Sequence, residues 1–242
     1  MALPQPVRPF RLGSVVPDFE ADTTQGRIKF YDHIGDNWAV LFCYPDDFSP
    51  VATSELVNFA KIQVPFASRG VKLLALSTNN QPDGNGEYIP HEVWVEDVNS
   101  LASEPLAFPI VNDSDGTLSR LFNVLDEKDV HNLNADNDIT EGLAFKSRHV
   151  FIIGPNHNGK HHFRLMLNYP AAVGFSTGEM LRVIDCLQTA DHASVRTPAD
   201  WVPGMDVIIP SKISDAEAKV RTVSFSTTPI LQLLTHLPGK IP

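Results

Sequence analysis

Cysteine is scarce in this chain. Only Cys43 and Cys186 are present, far apart and with no C-x-x-C or metal-ligand spacing, which argues against a disulfide framework. A reducing intracellular compartment follows, read as cytoplasmic. Positive charge is also short: the net charge is −10, so no basic field offsets phosphate repulsion and a general nucleic-acid or anionic-membrane binder is excluded. No apolar run approaches the roughly 18 residues that span a bilayer. The start, Met1-Ala2-Leu3-Pro4-Gln5-Pro6, lacks the basic flank and apolar core of a secretory signal. What is there is a 242-residue chain of ordinary soluble composition, 43% hydrophobic and 20% charged. It is long enough for one large domain or a domain with a smaller companion.

Apolar patterning gives the organisation. Residues 12–19 form an irregular lead-in, and 26–31 alternate as a short strand. The run Trp38-Ala39-Val40-Leu41-Phe42-Cys43 reads as a buried strand, followed by a helix from about Thr53 to Arg69, kinked at Pro65 and stopped by Gly70. Residues 71–77 form a second buried strand, so this stretch is a βαβ unit with a parallel pair. A loop over 79–86, a helix near 90–102, a strand at 108–113 and a helix over 116–124 with Leu118, Leu121 and Phe122 on one side come next. Residues 126–140 read as an exposed polar excursion. A strand at 148–153, a hairpin turn at Asn158-Gly159 and a strand at 163–168 follow. Ser176-Thr177-Gly178-Glu179 has capping-box spacing and opens a helix whose stripe is Met180, Val183, Ile184 and Leu187. Beyond Asp191, Pro198, Pro203, Pro210, Pro229, Pro238 and Pro242 break the chain into short pieces. The boundary is placed near 190: a larger α/β domain over 1–190 and a small α+β domain over 191–242.

The stretch Tyr44-Pro45-Asp46-Asp47-Phe48-Ser49-Pro50-Val51-Ala52-Thr53-Ser54-Glu55 joins the first buried strand to its helix. The first turn of a helix has unpaired N–H groups and the positive end of the dipole, so an anion is favoured there. The carboxyl end of a strand is also where open α/β sheets place their sites.

This stretch resembles the active-site motif of the peroxiredoxins, in which a proline, a Ser or Thr four residues on, and a cysteine three further share one loop. Here these are Pro45, Ser49 and Ala52, and Pro50-Val51-Ala52-Thr53-Ser54-Glu55 is similar to the one-cysteine, peroxiredoxin-6-like form. Arg148-His149-Val150-Phe151-Ile152-Ile153-Gly154-Pro155 resembles the family's strand that begins with its site arginine. Thr197-Pro198-Ala199-Asp200-Trp201 resembles the start of the extra C-terminal domain. The resemblance implies a thioredoxin-like fold, a homodimer able to build larger rings such as decamers, and no cofactor or metal. It implies reduction of hydrogen peroxide and organic hydroperoxides by one cysteine, recycled by an external thiol such as glutathione or a thioredoxin. In that chemistry a low-pKa thiolate attacks the O–O bond while positive charge and hydrogen-bond donors hold the oxidant. By resemblance Ser49 bonds the oxidant, Arg148 supplies charge, Glu55 orients Arg148, Pro45 shapes the loop, and Ala52 stands at the nucleophile's place.

The departures bear on activity. Ala52 removes the nucleophile. Cys43 belongs to a buried strand and reads as an inert small hydrophobe, while Cys186 lies at i+4 from Arg182 on a helix. Phe175, after Tyr169-Pro170-Ala171-Ala172-Val173-Gly174, occupies the place of a second site arginine, and Tyr44 that of a histidine. The phospholipase activity of some peroxiredoxin-6 relatives is not supported, because its serine, histidine and aspartate positions hold Asn37, Tyr31 and Asn156. His157, His161 and His162 read as an exposed polar hairpin, and Asp46-Asp47 as a solvated loop pair. Two accounts of Ala52 stand: a peroxidase whose cysteine has been replaced, or a natural redox-silent relative acting as a binding or chaperone-like oligomer.

Overall fold

The computed structural model describes residues 10–78, 89–125 and 147–210. The expected loop at 79–86, the excursion at 126–140 and the last prolines lie outside the described residues. The chain divides into two compact units, Met1–Thr177 and Gly178–Pro242.

In the first unit a five-stranded mixed sheet runs in the order β5-β4-β3-β6-β7. Its strands are β3 (Trp38–Cys43), β4 (Val71–Ser77), β5 (Ile110–Asn112), β6 (Ser147–Ile153) and β7 (Phe163–Pro170). β3 pairs in parallel with β4, from Trp38↔Val71 to Cys43↔Leu76, and antiparallel with β6. β4 pairs in parallel with β5, and β6 antiparallel with β7. Every residue of β3 is buried, as in a strand covered on both faces. A small antiparallel pair, β1 (Glu20–Ala21) and β2 (Ile28–Lys29), precedes the sheet.

Alternation along β3 sorts the core into two layers. Ala39, Leu41 and Cys43 join a cluster with Val16, Phe30, Phe122 and Phe163. Phe42 turns the other way and stacks on Phe59 of α2 (Pro50–Ala67), ring centroids 4.2 Å apart, with Phe108 and Phe175 each 5.8 Å from Phe42. α2 therefore covers the sheet face opposite the Cys43 thiol. The expected βαβ unit is β3-α2-β4; α2 stops at Ala67 with Ser68 as its C-cap, ahead of the expected stop at Gly70, which at φ 63° makes the left-handed turn into β4. Pro65 lies inside the last turn of α2, which continues to Ala67, and its missing N–H forgoes the bond to the Lys61 carbonyl.

Three further expectations need correction. The alternation at 26–31 yields only β2, because α1 (Phe30–Ile34) begins at Phe30. Asp18 accepts from the Tyr31 N–H at 2.9 Å, and Phe30 stacks on Phe19, so helical spacing buries Phe30 and Ile34 together. In α4 (Thr117–Leu121), Leu118 is buried and Phe122 follows buried, but Leu121 is exposed. A five-residue helix is too short for all three to face inward. α3 (His91–Leu101) matches its expected span. At the β6–β7 connection Asn158 and Gly159 both take positive φ, 53° and 76°, as a two-residue hairpin turn requires.

In the second unit, α5 (Thr177–Ala193) buries Met180, Val183 and Ile184, while Leu187 is only half-buried, the third correction. Arg182 takes Glu179 through two bonds of 2.6 and 2.7 Å and the Trp201 carbonyl at 3.0 Å. An antiparallel bridge joins Arg196 to Ile208. No helix of the described residues is long and apolar enough to cross a membrane.

Candidate active site

The motif loop ends at Ser49, the N-cap of α2, with extended backbone and a hydroxyl that accepts from the Ala52 N–H at 3.4 Å. Pro50 takes the first helical position, where its missing N–H is no loss. Ala52 is fully buried in this first turn. The expected helix start at Thr53 is thus three residues late, since proline at the start of a helix continues it.

One turn beyond Ala52, Glu55 meets Arg148 of β6: Nη1 donates to Oε2 at 2.5 Å, and both side chains are 2–3% exposed. The pair is fixed at both ends. Arg148 Nε donates to the Ala171 carbonyl at 3.0 Å, and the Phe175 N–H donates to Glu55 Oε1 at 3.1 Å. Burial pushes the Glu55 carboxyl up to about 7 even though Arg148 and the Phe175 N–H pull it down. Burial likewise lowers Arg148 from its ordinary value, opposed by Glu55 and more weakly by Asp46 of the motif loop. Gly174 makes the close approach possible, because a Cβ there would lie 3.2 Å from Val51 Cγ1 and 3.4 Å from Glu55 Oε1. The structure thus brings Ser49, Ala52, Glu55 and Arg148 to the N-terminal turns of α2, with Asp46 in electrostatic reach of Arg148. Pro45 is buried in the loop behind them.

Asp47 corrects the reading of a solvated pair. It is 1% exposed, accepts from Tyr44 Oη at 3.0 Å, and lies 2.5 Å from His91 Nδ1 of α3. Sequence spacing hides this contact, since 44 residues separate the partners. The one local signal is Pro90, which fixes His91 at the first turn of α3. His161 is the other correction. It is fully buried, its Nδ1 2.8 Å from the Gly154 carbonyl, whereas His157 is exposed and His162 half-buried. Among the described residues no group of three or more His, Cys, Asp or Glu side chains could hold a metal ion.

Comparison with known proteins settles the family. The AhpC/TSA family model matches residues 12–161, and the model for the C-terminal domain of 1-Cys peroxiredoxin matches residues 186–222. The mitochondrial peroxiredoxin PRX1 of Saccharomyces cerevisiae is 40% identical over 217 residues, covering 89% of this chain and 77% of that protein. The chain belongs to the one-cysteine peroxiredoxins. A solved structure of a yeast mitochondrial 1-Cys peroxiredoxin, described with its thiol resolving mechanism through glutathione and thioredoxin systems, superposes with a TM-score of 0.71. It is 38% identical and covers 88% of this chain and 92% of its own. A cysteine-to-serine mutant of peroxiredoxin 6 from Arenicola marina gives the same TM-score and identity, covering 87% and 88%. The mixed sheet and its covering helices are accordingly the thioredoxin-like peroxiredoxin fold.

Of the three replaced phospholipase positions, Asn37 and Asn156 serve local turns, whereas Tyr31 ties the lead-in to the first unit. Asn37 Nδ2 donates to the Ile34 carbonyl at 2.9 Å, Tyr31 Oη to the Val16 carbonyl at 2.6 Å, and Asn156 accepts from the Gly159 N–H at 2.8 Å. Phe175 spends its side chain on the aromatic layer with Phe42, Phe59 and Tyr169 and only its backbone N–H on Glu55. Cys43 is fully buried, and burial, helped by Asp113, pushes its thiol well above the ordinary value.

Proposed function

We propose that this chain is a thiol-dependent peroxidase of the one-cysteine type whose nucleophile position, 52, is filled by alanine, so that as it stands it turns over no peroxide. The buried Arg148–Glu55 pair at the N-terminal end of α2 carries this reading. Replacing a buried ion pair with apolar residues of similar volume is often neutral or stabilising, so such a pair is retained for what its charge can do. Held between the Ala171 carbonyl and the Phe175 N–H, Arg148 is placed to favour an anion in the first turn of α2.

With sulfur at position 52 the step balances simply. The thiolate attacks one peroxide oxygen, an S–O bond forms and the O–O bond breaks, and the other oxygen leaves as water or alcohol after taking a proton. The sulfur is oxidised to sulfenic acid and the peroxide is reduced. Ser49 bonds the oxidant, Arg148 stabilises the charge and Glu55 orients Arg148. An external thiol of the glutathione or thioredoxin kind returns the sulfur to its reduced state. We take the working species to be a homodimer in a reducing compartment, although the yeast relative is mitochondrial. We keep the division at about residue 190.

Phe175 favours a second reading, a redox-silent binding or chaperone-like oligomer, because a phenyl ring supplies no charge for an oxidant. Stopped-flow peroxide reduction by the chain and its Ala52→Cys variant separates the two. No consumption by the chain and fast single-turnover oxidation of the variant are expected; a slow variant would give the lead to the binding-protein reading.

A further inference from the structure

The motif loop carries a second buried polar set that the peroxide reaction leaves unused. Tyr44 Oη donates to one oxygen of Asp47 at 3.0 Å, and His91 Nδ1 stands 2.5 Å from the other. All three side chains are at most 3% exposed. A carboxylate only accepts, so a proton must lie between Asp47 and Nδ1. Nε2 of the same ring is buried without a hydrogen-bond partner among the described residues. A buried polar atom without a partner is costly, so the ring is held there for its other nitrogen.

What that nitrogen grips is a strained turn. Phe48 has φ of 56°, a conformation that bulky side chains avoid and that persists only where its surroundings impose it. Trp94, on the same helix as His91, sets its ring 5.4 Å from Tyr44 and 6.1 Å from Phe48. The next residue is Ser49, whose hydroxyl meets the Ala52 N–H. The loop is therefore clamped on the Tyr44 side by Asp47 and His91 and over Phe48 by Trp94, immediately before the residue assigned to the oxidant.

We propose that His91 is a positioning residue for the peroxide site: through Asp47 it holds the Phe48 turn and so sets the Ser49 hydroxyl against position 52. The clamp stands on the contacts themselves, and its consequence for peroxide rests on the proposed function. Two near-isosteric variants test it in the Ala52→Cys background. His91→Asn places an amide N–H near Nδ1, whereas His91→Gln reaches towards Nε2 and leaves Asp47 without its donor. Two rates are read on each: peroxide oxidation, which needs Ser49 placed, and iodoacetamide alkylation, which reads only the thiolate. His91→Gln should slow peroxide oxidation roughly 10- to 100-fold while alkylation changes less than about threefold, and His91→Asn should restore most of the loss. Equal loss of both rates, no loss, or no difference between Asn and Gln would overturn the positioning role. NMR of the histidine-labelled chain, with Ala52 in place, should show a slowly exchanging Nδ1 proton on His91 that disappears in Asp47→Asn. Its absence from the parent would overturn the clamp itself. Should Ala52→Cys be inert to peroxide with that proton present, the proposed function and its use of His91 fail while the clamp stands.

Discussion

Removing one member of the buried Arg148–Glu55 pair gives a sharp test of the electrostatics of the site. In the parent, Glu55 is raised from 4.5 to about 7, so the folded state holds its proton more tightly than the unfolded state does. That difference corresponds to about 3 kcal/mol of stability, fully present below pH 4.5 and lost as pH rises through 7. Arg148→Leu deletes the two interactions with Arg148 that oppose the rise and leaves only the Phe175 N–H. The folded pKa of Glu55 should therefore climb further above its unfolded value, and the window of loss should extend to higher pH.

At pH 5 Glu55 is protonated in both proteins, and the variant lacks only packing and the bonds to Glu55 and Ala171, about 1–2 kcal/mol. At pH 8.5 the parent holds an ion pair and the variant an unpaired buried carboxyl, a difference of roughly 3–5 kcal/mol. Urea unfolding of both proteins at the two pH values measures it. A penalty that is equal at both, or larger at pH 5, would refute the reasoning. Replacing both residues by leucine should recover much of the loss at pH 8.5, because no orphaned charge remains.

Other outcomes follow from single contacts. Gly174→Ala sets a methyl 3.2 Å from Val51 Cγ1 and 3.4 Å from Glu55 Oε1; it should cost about 1–3 kcal/mol, read as a lower thermal midpoint. Ser49→Ala removes the cap of α2 and should cost about 1 kcal/mol in urea unfolding, and in the Ala52→Cys background it should slow peroxide oxidation more than alkylation. Gly159→Ala forces a side chain into the left-handed half of the hairpin turn and should cost about 1 kcal/mol in the same assay. A thiol reagent applied to the native chain should label half-buried Cys186 and leave Cys43 unreacted until the protein unfolds.

Sequence periodicity recovers the parts of the fold that one run of residues determines alone. The apolar runs at 38–43 and 71–77 fit strands covered on both faces, and Asn158-Gly159 fits a tight hairpin turn. The site is legible to the same degree: Ser49 and Ala52 share one helical turn, Glu55 lies on the next, and local spacing places all three. Asp47 escapes such reading because a carboxylate beside another in a loop looks solvated until the tertiary fold brings His91 to it. His161 escapes it for a similar reason: its hairpin neighbours are polar, but the tertiary fold buries its ring against the Gly154 carbonyl and its own carbonyl against the Val16 N–H. Phe30 fits a strand on local pattern because apolar residues at 28 and 30 match a period of two. Asp18, thirteen residues before Tyr31, accepts its N–H and tips the choice to a helix.

Strand alternation also decides whether another thiol in the first unit could stand in for position 52. Phe42 and Phe59 place α2, and with it the Ser49 cap and the Arg148–Glu55 pair, over one face of β3. Cys43, one residue on, points to the opposite face, among Leu41, Leu76 and Phe151. Moving its sulfur to the α2 side would require a one-residue slip of β3, which would carry Phe42 into the other layer and break its register with β4 and β6. Burial and Asp113 hold the same thiol in its protonated, unreactive form. Rotamer change cannot cross the sheet, and loop motion cannot reach a residue paired on both sides. Cys43 therefore cannot supply the sulfur that position 52 lacks.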